Sequence, residues 1–262
     1  MAYENILYAE FDGVARLTLN RPDKLNSFNV AMHLEVREAL VAAARPEVRV
    51  LVLTGAGRAF CAGQDLSDRQ TAPGAEPPDL GETIGNYYAP LVRQIRALDK
   101  PVIGAINGVA AGAGCNVALA CDLVIAARSA SFLQPFCRLG LVPDAGGTWW
   151  LPRLVGPARA AGLAMLGEKL SAEQAAAWGL ILKCVDDEHF AAEVDGLAAQ
   201  FASAPTLGLA RTKRALQQSW ANTLDEQLDL ERDLQRELGR SHDYAEGVSA
   251  FLGKRTPRFT GR

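Results

Sequence analysis

Histidine is scarce in this 262-residue chain: His33, His189 and His242 are the only three. They are widely spaced and none lies beside a serine or cysteine nucleophile motif, which argues against a zinc site or a Ser-His-Asp triad. A protein without a metal is therefore expected. Cysteine is limited to Cys61, Cys115, Cys121, Cys137 and Cys184, an odd number with no Cys-x-x-Cys. All five lie in apolar or small-residue settings, so reduced thiols in a cytoplasmic protein are expected. No stretch reaches the roughly eighteen uninterrupted apolar residues of a membrane span. Met1-Ala2-Tyr3-Glu4-Asn5 lacks the basic-then-apolar pattern of a secretory signal. Neither sign of charge prevails, with 27 basic against 30 acidic residues. That balance disfavours a nucleic-acid or membrane-surface role.

What is present is a large core and an ordered pattern of elements. A chain of this length buries roughly 70–75% of the surface its unfolded form exposes, so it needs no disulfide or metal staple. Ile6 to Phe11 and Val14 to Leu19 flank Asp12-Gly13, a turn dipeptide, and predict a hairpin. After Ser27 or Asn29 as N-cap, Met32, Val36, Ala39, Leu40 and Ala43 recur at helical spacing. Val48 to Thr54, Val102 to Ile106 and Leu123 to Ala126 read as buried strands, separated by a helix to about Leu98 and a short helix after Gly108 to Gly114. Strands alternating with helices predict an α/β fold with parallel pairing. Residues 67–81, rich in proline, glycine and acids without periodicity, predict a long loop. Beyond residue 150 the character turns helical. Ser171 to Gln174 and Thr223 to Glu226 fit the capping box, and Gly239 is expected to close the last leucine-rich helix at the C′ position.

The chemistry points to Asp144, set within Leu139-Gly140-Leu141-Val142-Pro143-Asp144-Ala145-Gly146-Gly147-Thr148. A carboxylate pressed against apolar neighbours is disfavoured in its charged form, which raises its pKa toward the range useful for moving protons near neutrality. Phe60-Cys61-Ala62-Gly63-Gln64-Asp65 and Gly112-Ala113-Gly114-Cys115 offer backbone N–H groups with little side-chain obstruction. Together they suggest a base facing a site that stabilises negative charge on oxygen. Asp144 also suits a helix N-cap. Gly112-Ala113-Gly114 invites a dinucleotide reading, but Val117 stands where G-x-G-x-x-G needs its third glycine.

Phe60 to Leu66, Asn107-Gly108-Val109-Ala110-Ala111-Gly112-Ala113-Gly114 and Gly140 to Gly147, with Leu19-Asn20-Arg21-Pro22 before them, resemble the crotonase superfamily, also called the enoyl-CoA hydratase/isomerase family. The resemblance implies a spiral of ββα units over residues 1–200 and a C-terminal helical trimerisation region over 201–262. It implies acyl-CoA thioester substrates, with coenzyme A entering as part of the substrate and no separate cofactor, and a homotrimer or dimer of trimers. It implies that the N–H groups of Ala62 and Ala113 hold the thioester oxygen as an enolate forms, aided by the helix dipole behind Ala113. Lys24, Leu25, Ala62, Gln64, Asp65 and Leu66 fall at coenzyme A positions, although Asp65 also reads as a loop anchor. Hydratases of the family use two glutamates, and the matching positions here hold Asn116 and Phe136, neither of which exchanges protons. Asp144 matches an acid found in certain double-bond isomerases, and Phe136 would give an aromatic acyl group an apolar contact. For Asn116, a satisfied buried polar residue and an orienter of water or thioester both remain open.

Pro78-Asp79-Leu80-Gly81, Tyr87-Tyr88, the residues after Asp144 to Trp149 and the tail from Gly247 to Gly261 resemble the members that convert ring-1,2-epoxyphenylacetyl-CoA to oxepin-CoA in phenylacetate catabolism. An isomerase of acyl-CoA thioesters that also shifts enoyl-CoA double bonds is thus expected. The competing expectations are an enoyl-CoA hydratase of fatty-acid or aromatic degradation, working through Asp144 alone, and a non-catalytic CoA-binding subunit.

Overall fold

Asp12 and Gly13 take φ angles of 48° and 78° in the computed structural model, which describes residues 3–69 and 79–262. Both are left-handed, as a two-residue hairpin turn requires if its twist is to match the strands it joins. The turn links β1 (Ile6–Phe11) to β2 (Val14–Leu19) in antiparallel register, with Phe11 opposite Val14. Helix α1 (Val30–Ala43) follows, and Asn29 caps it by accepting from the Met32 N–H at 2.8 Å.

Three turns of one motif then build the body, each a long strand, a short strand and a helix. The first comprises β3 (Val50–Gly55) and β4 (Ala59–Cys61), then α2 (Leu80–Thr83), a π-helical turn over Ile84–Tyr88, and α3 (Ala89–Ala97). The second has β5 (Val102–Ile106), β6 (Val109–Ala111) and α4 (Ala113–Leu119). The third has β7 (Leu123–Ala127), β8 (Ser131–Leu133) and α5 (Gly147–Leu166). After β9 (Lys169–Ser171), α6 (Ala172–Ala177), β10 (Lys183–Val185) and α7 (Asp187–Ala202), the chain ends in α8 (Thr206–Gln218), α9 (Leu224–Leu238) and α10 (His242–Leu252).

The long strands, with the three-residue β10 at one edge, form one sheet in the order β1-β2-β3-β5-β7-β10, parallel from β2 onward. The short ones form a second, β4-β6-β8-β9, parallel except for β8 with β9. The result is the ββα spiral that was expected. Both faces of the first sheet are covered at β3, β5 and β7, which is why these strands read as nearly unbroken apolar runs. One face packs on the main core, and Val50, Val52, Ile103 and Ala105 on the other meet Val194 and Ala198 of α7. Among the described residues no helix is long and apolar enough to cross a membrane.

Several local expectations are corrected. Of residues 67–81, expected as a loop, 70–78 lie outside the described residues, and Leu80 already opens α2. Thr223 and Glu226 form the full capping box, whereas at Ser171 only the arm from the Gln174 N–H is made. Gly239 ends α9 in a right-handed conformation (φ −62°), so no left-handed cap closes that helix.

His33 on α1 is 5% exposed, between the rings of Phe28, Tyr87 and Tyr88 at centroid distances of 4.5 to 5.4 Å. Both its ring nitrogens are buried and meet no hydrogen-bond partner among the described residues. Burial, reinforced by Arg37, pushes its pKa down to about 3. Between that value and the ordinary 6.5 the unfolded chain binds the proton and the folded one does not. The stability contributed by neutral His33 is therefore complete above pH 6.5 and declines as the pH falls toward 3. The slope is about 1.4 kcal/mol per pH unit. Urea denaturation across this window should show that slope, and His33→Phe should flatten it.

Candidate active site

The stretch after β4 runs beside Leu25 to Phe28. The Phe28 N–H donates to the Gly63 carbonyl at 2.7 Å, and the Asp65 N–H donates to the Phe28 carbonyl at 2.9 Å, forming an isolated parallel bridge between Phe28 and Gln64. In such a bridge the flanking residues make both bonds, so Gln64 turns its own N–H to the opposite side. There it meets no acceptor among the described residues. The start of α4 lies against Gly63. Gly63 has φ +93°, and a Cβ on it would stand 2.9 Å from the Ala111 carbonyl oxygen and 3.3 Å from the Ala113 nitrogen. Ala113 is the first residue of its helix, where N–H groups lack intrahelical partners. Close approach without a side chain thus sets the Gly63-Gln64 segment against the N-terminus of α4, and among the described residues neither the Gln64 nor the Ala113 N–H meets a backbone acceptor.

Ala62, expected as the first donor, is corrected by the same contacts. Its N–H donates to the Leu25 carbonyl at 2.9 Å, so it is already committed. The dipole expected behind Ala113 is also modest, because α4 is only seven residues long.

Asp144 sits between a 3-10 turn (Pro135–Leu139) and α5. Asp144 is not the N-cap that its residue type suggested: the N-cap of α5 is Gly146, and no side chain caps the helix. Asp144 is half-buried and its Oδ1 is fully enclosed. The turn that carries it is held through the backbone. The Asp144 carbonyl accepts from the Gly147 N–H at 2.7 Å and from the Asn116 amide at 2.9 Å. Ala145 (φ +46°) and Gly146 (φ +86°) are both left-handed, and the Trp150 indole donates to the Ala145 carbonyl at 3.3 Å. A Cβ on Gly146 would meet the indole nitrogen at 2.6 Å, so only glycine fits.

Asn116, expected among the substrate contacts, is fully buried and occupied. Besides holding the Asp144 carbonyl, its Oδ1 accepts from the Gln134 amide at 2.7 Å. Of the two readings left open, these bonds make Asn116 a satisfied buried polar residue that braces the Asp144 turn. Phe136, 7% exposed, places its ring tip near Gly112: a Cβ there would meet Cζ at 3.7 Å. An apolar face thus borders the Ala113 N–H.

Asp65 is a loop anchor. Its carboxylate accepts from the Ser67 N–H and hydroxyl at 3.0 and 2.6 Å and pairs with Arg21 at 3.0 Å. Burial pushes the Asp65 carboxyl up, but the bonds from Ser67 and Arg21 outweigh it and hold the group below the usual carboxylate range. Leu25 lies against Ala62 through the bond already described, while Lys24 and Leu66 stand exposed at the rim. Cys61 and Cys115 are buried beside the donor pair, and burial pushes both thiols up to about 12.

Sequence reasoning missed Asn26, Gln134 and Trp150. Asn26 has φ +56° and no exposure; its side chain accepts from the Arg21 N–H and donates to the carbonyls of Ala56 and Ala59 at 2.8 to 2.9 Å. It rivets the Leu25 segment to the approach of β4. A lone buried asparagine carries no spacing signal that would have revealed it.

A family model described as enoyl-CoA hydratase/isomerase matches residues 10–262. The chain is 58% identical over 251 residues to the 1,2-epoxyphenylacetyl-CoA isomerase of Escherichia coli K12, covering 95% of this chain and 96% of that protein. It is 36% identical to the crotonyl-CoA hydratase of Syntrophomonas wolfei, with full coverage of both. The crystal structure of an enoyl-CoA hydratase from Bacillus anthracis matches it with a TM-score of 0.90 at 33% identity, covering 99% of this chain and 100% of that one.

Proposed function

Because the chain belongs to the enoyl-CoA hydratase/isomerase family, we propose that it isomerises acyl-CoA thioesters, converting ring-1,2-epoxyphenylacetyl-CoA to oxepin-CoA and shifting double bonds in enoyl-CoAs. The observation that carries this reading is one braced carboxylate, Asp144, whose carbonyl is held by the Asn116 amide, with the Phe136 ring buried where the second acid of a hydratase would stand. Adding water across a double bond by the two-glutamate route needs two acids, and those places are occupied by residues that cannot exchange protons. A 1,3-shift needs one group that takes a proton and returns it. The 58% identity to an epoxyphenylacetyl-CoA isomerase supports the choice of substrate.

In this mechanism Asp144 removes a proton from the CH₂ between ring and thioester carbonyl. The C–H electron pair moves onto the carbonyl oxygen, and the N–H groups of Gln64 and Ala113 stabilise the enolate. Ring expansion to the oxepin breaks the carbon–carbon bond between the two epoxide carbons; the enolate then collapses to a double bond between side chain and ring, and Asp144 returns the proton to the adjacent ring carbon. Phe136 provides apolar contact to the ring. Coenzyme A, part of the substrate, runs along Leu25 and Leu66 with Lys24 at the open end for a phosphate. The exposed Leu216, Trp220, Leu224 and Leu228 support burial of residues 201–262 between copies, as a homotrimer or dimer of trimers. Reduced thiols and a CoA thioester substrate fit a cytoplasmic setting.

Phenylacetyl-CoA, which has the CH₂ without the epoxide, tests the reading. In deuterated water the enzyme should exchange that CH₂, followed by NMR, while crotonyl-CoA in heavy-oxygen water should take up no label. Label uptake at a matching rate would make it a hydratase. Tight binding without exchange would make it a CoA-binding subunit.

A further inference from the structure

Trp150 belongs to α5 but reaches back to the Asp144 turn, and it is itself held from outside the site. The Arg96 guanidinium, at the end of α3, lies 5.2 Å from the indole centroid. Arg96 pairs with Asp122 at 3.4 Å, and Asp122, just before β7, pairs with Lys213 of α8 at 2.8 Å. The Lys213 side chain is only 8% exposed. Gln217, one turn further along α8, donates to the Arg96 carbonyl at 3.1 Å. A buried ion pair is a weak source of stability, since the loss of hydration offsets most of the attraction, yet it fixes geometry well. Here the geometry it fixes leads to one atom. Arg96 locates the indole, and the indole nitrogen donates to the Ala145 carbonyl, in a left-handed turn that has no side-chain cap of its own.

We propose that Lys213, Asp122, Arg96 and Trp150 act as positioning residues for Asp144, so that the reach of the acid–base group depends on how α8 is seated against the spiral. This rests on Asp144 being that group. None of the four needs to touch substrate: their effect passes through the Ala145 carbonyl. Misplacement by about 1 Å is enough to cost on the order of 10²-fold in rate, so a partial loosening is expected to cost about tenfold.

The test compares Trp150→Phe, which keeps an aromatic ring but removes the N–H, with Lys213→Met and Lys213→Arg in the full-length protein. Deuterium exchange into phenylacetyl-CoA is measured over a range of substrate concentrations, with Asp144→Asn as reference. Trp150→Phe and Lys213→Met should each lose about tenfold at saturation with KM changed less than about twofold, and Lys213→Arg should recover most of the loss. Unchanged saturating rates in both variants, or a change confined to KM, would overturn the proposal. Should Trp150→Phe fail to fold by circular dichroism, the Lys213 pair decides alone. If Asp144→Asn itself retains exchange, it is the reading of the site that fails, separately from the relay.

Discussion

Asp144→Asn should bind phenylacetyl-CoA as tightly as the unaltered protein and lose about 10³- to 10⁴-fold in proton exchange. The amide has the shape of the carboxylate but no basic oxygen that can hold a transferred proton. The fold should tolerate the change because the turn is built through main-chain atoms. The Gly147 N–H and the Asn116 amide meet the Asp144 carbonyl, and the indole meets the carbonyl of Ala145. Calorimetric titration gives the affinity and NMR gives the exchange rate. Exchange within tenfold of the unaltered protein would remove Asp144 from the mechanism, since no other group in the described site has been assigned that step.

Gly63→Ala should have the next largest effect. The residue lies at φ +93°, where a side chain is strained by about 1–3 kcal/mol. More important is the direction in which the methyl group points. At 2.9 Å from the Ala111 carbonyl oxygen it overlaps backbone, which cannot swing aside as a flexible side chain would. The chain after β4 must move off α4, which draws the Gln64 N–H away from the Ala113 N–H. Loss of one donor to a developing oxyanion typically costs about 10²–10³ in rate. The saturating exchange rate should fall by that factor, and urea denaturation should show the smaller loss of stability. A folded Gly63→Ala protein exchanging at the unaltered rate would mean that these two N–H groups do not hold the thioester oxygen.

Legibility in the sequence followed the length and regularity of each element. The hairpin, α1 and the strands β3, β5 and β7 carry five or more patterned residues, and all are where periodicity put them. The second sheet was invisible because β4, β6, β8 and β9 have three residues each, too few for any period. Within the site, Asp144 stood out because a carboxylate among apolar residues is chemically unusual. That the Ala62 N–H is already committed to Leu25 escaped the sequence for a different reason. Ala62 and Gln64 lie in the same small-residue run, and only the bridge to Phe28 decides which N–H turns inward. The bracing amides of Asn116 and Gln134 and the Trp150 indole find their partners between 5 and 28 residues away. Such meetings depend on how the spiral closes, which composition does not disclose.

The thiols beside the donor pair bear on a hazard peculiar to the proposed substrate. A strained three-membered ring is an alkylating agent, and a thiolate in the wall of the pocket would open it and leave the enzyme permanently modified. Burial that holds Cys61 and Cys115 at about 12 keeps both sulfurs protonated and unreactive at neutral pH. Under the proposed reaction, their seclusion would let the protein handle an electrophile turnover after turnover without poisoning itself.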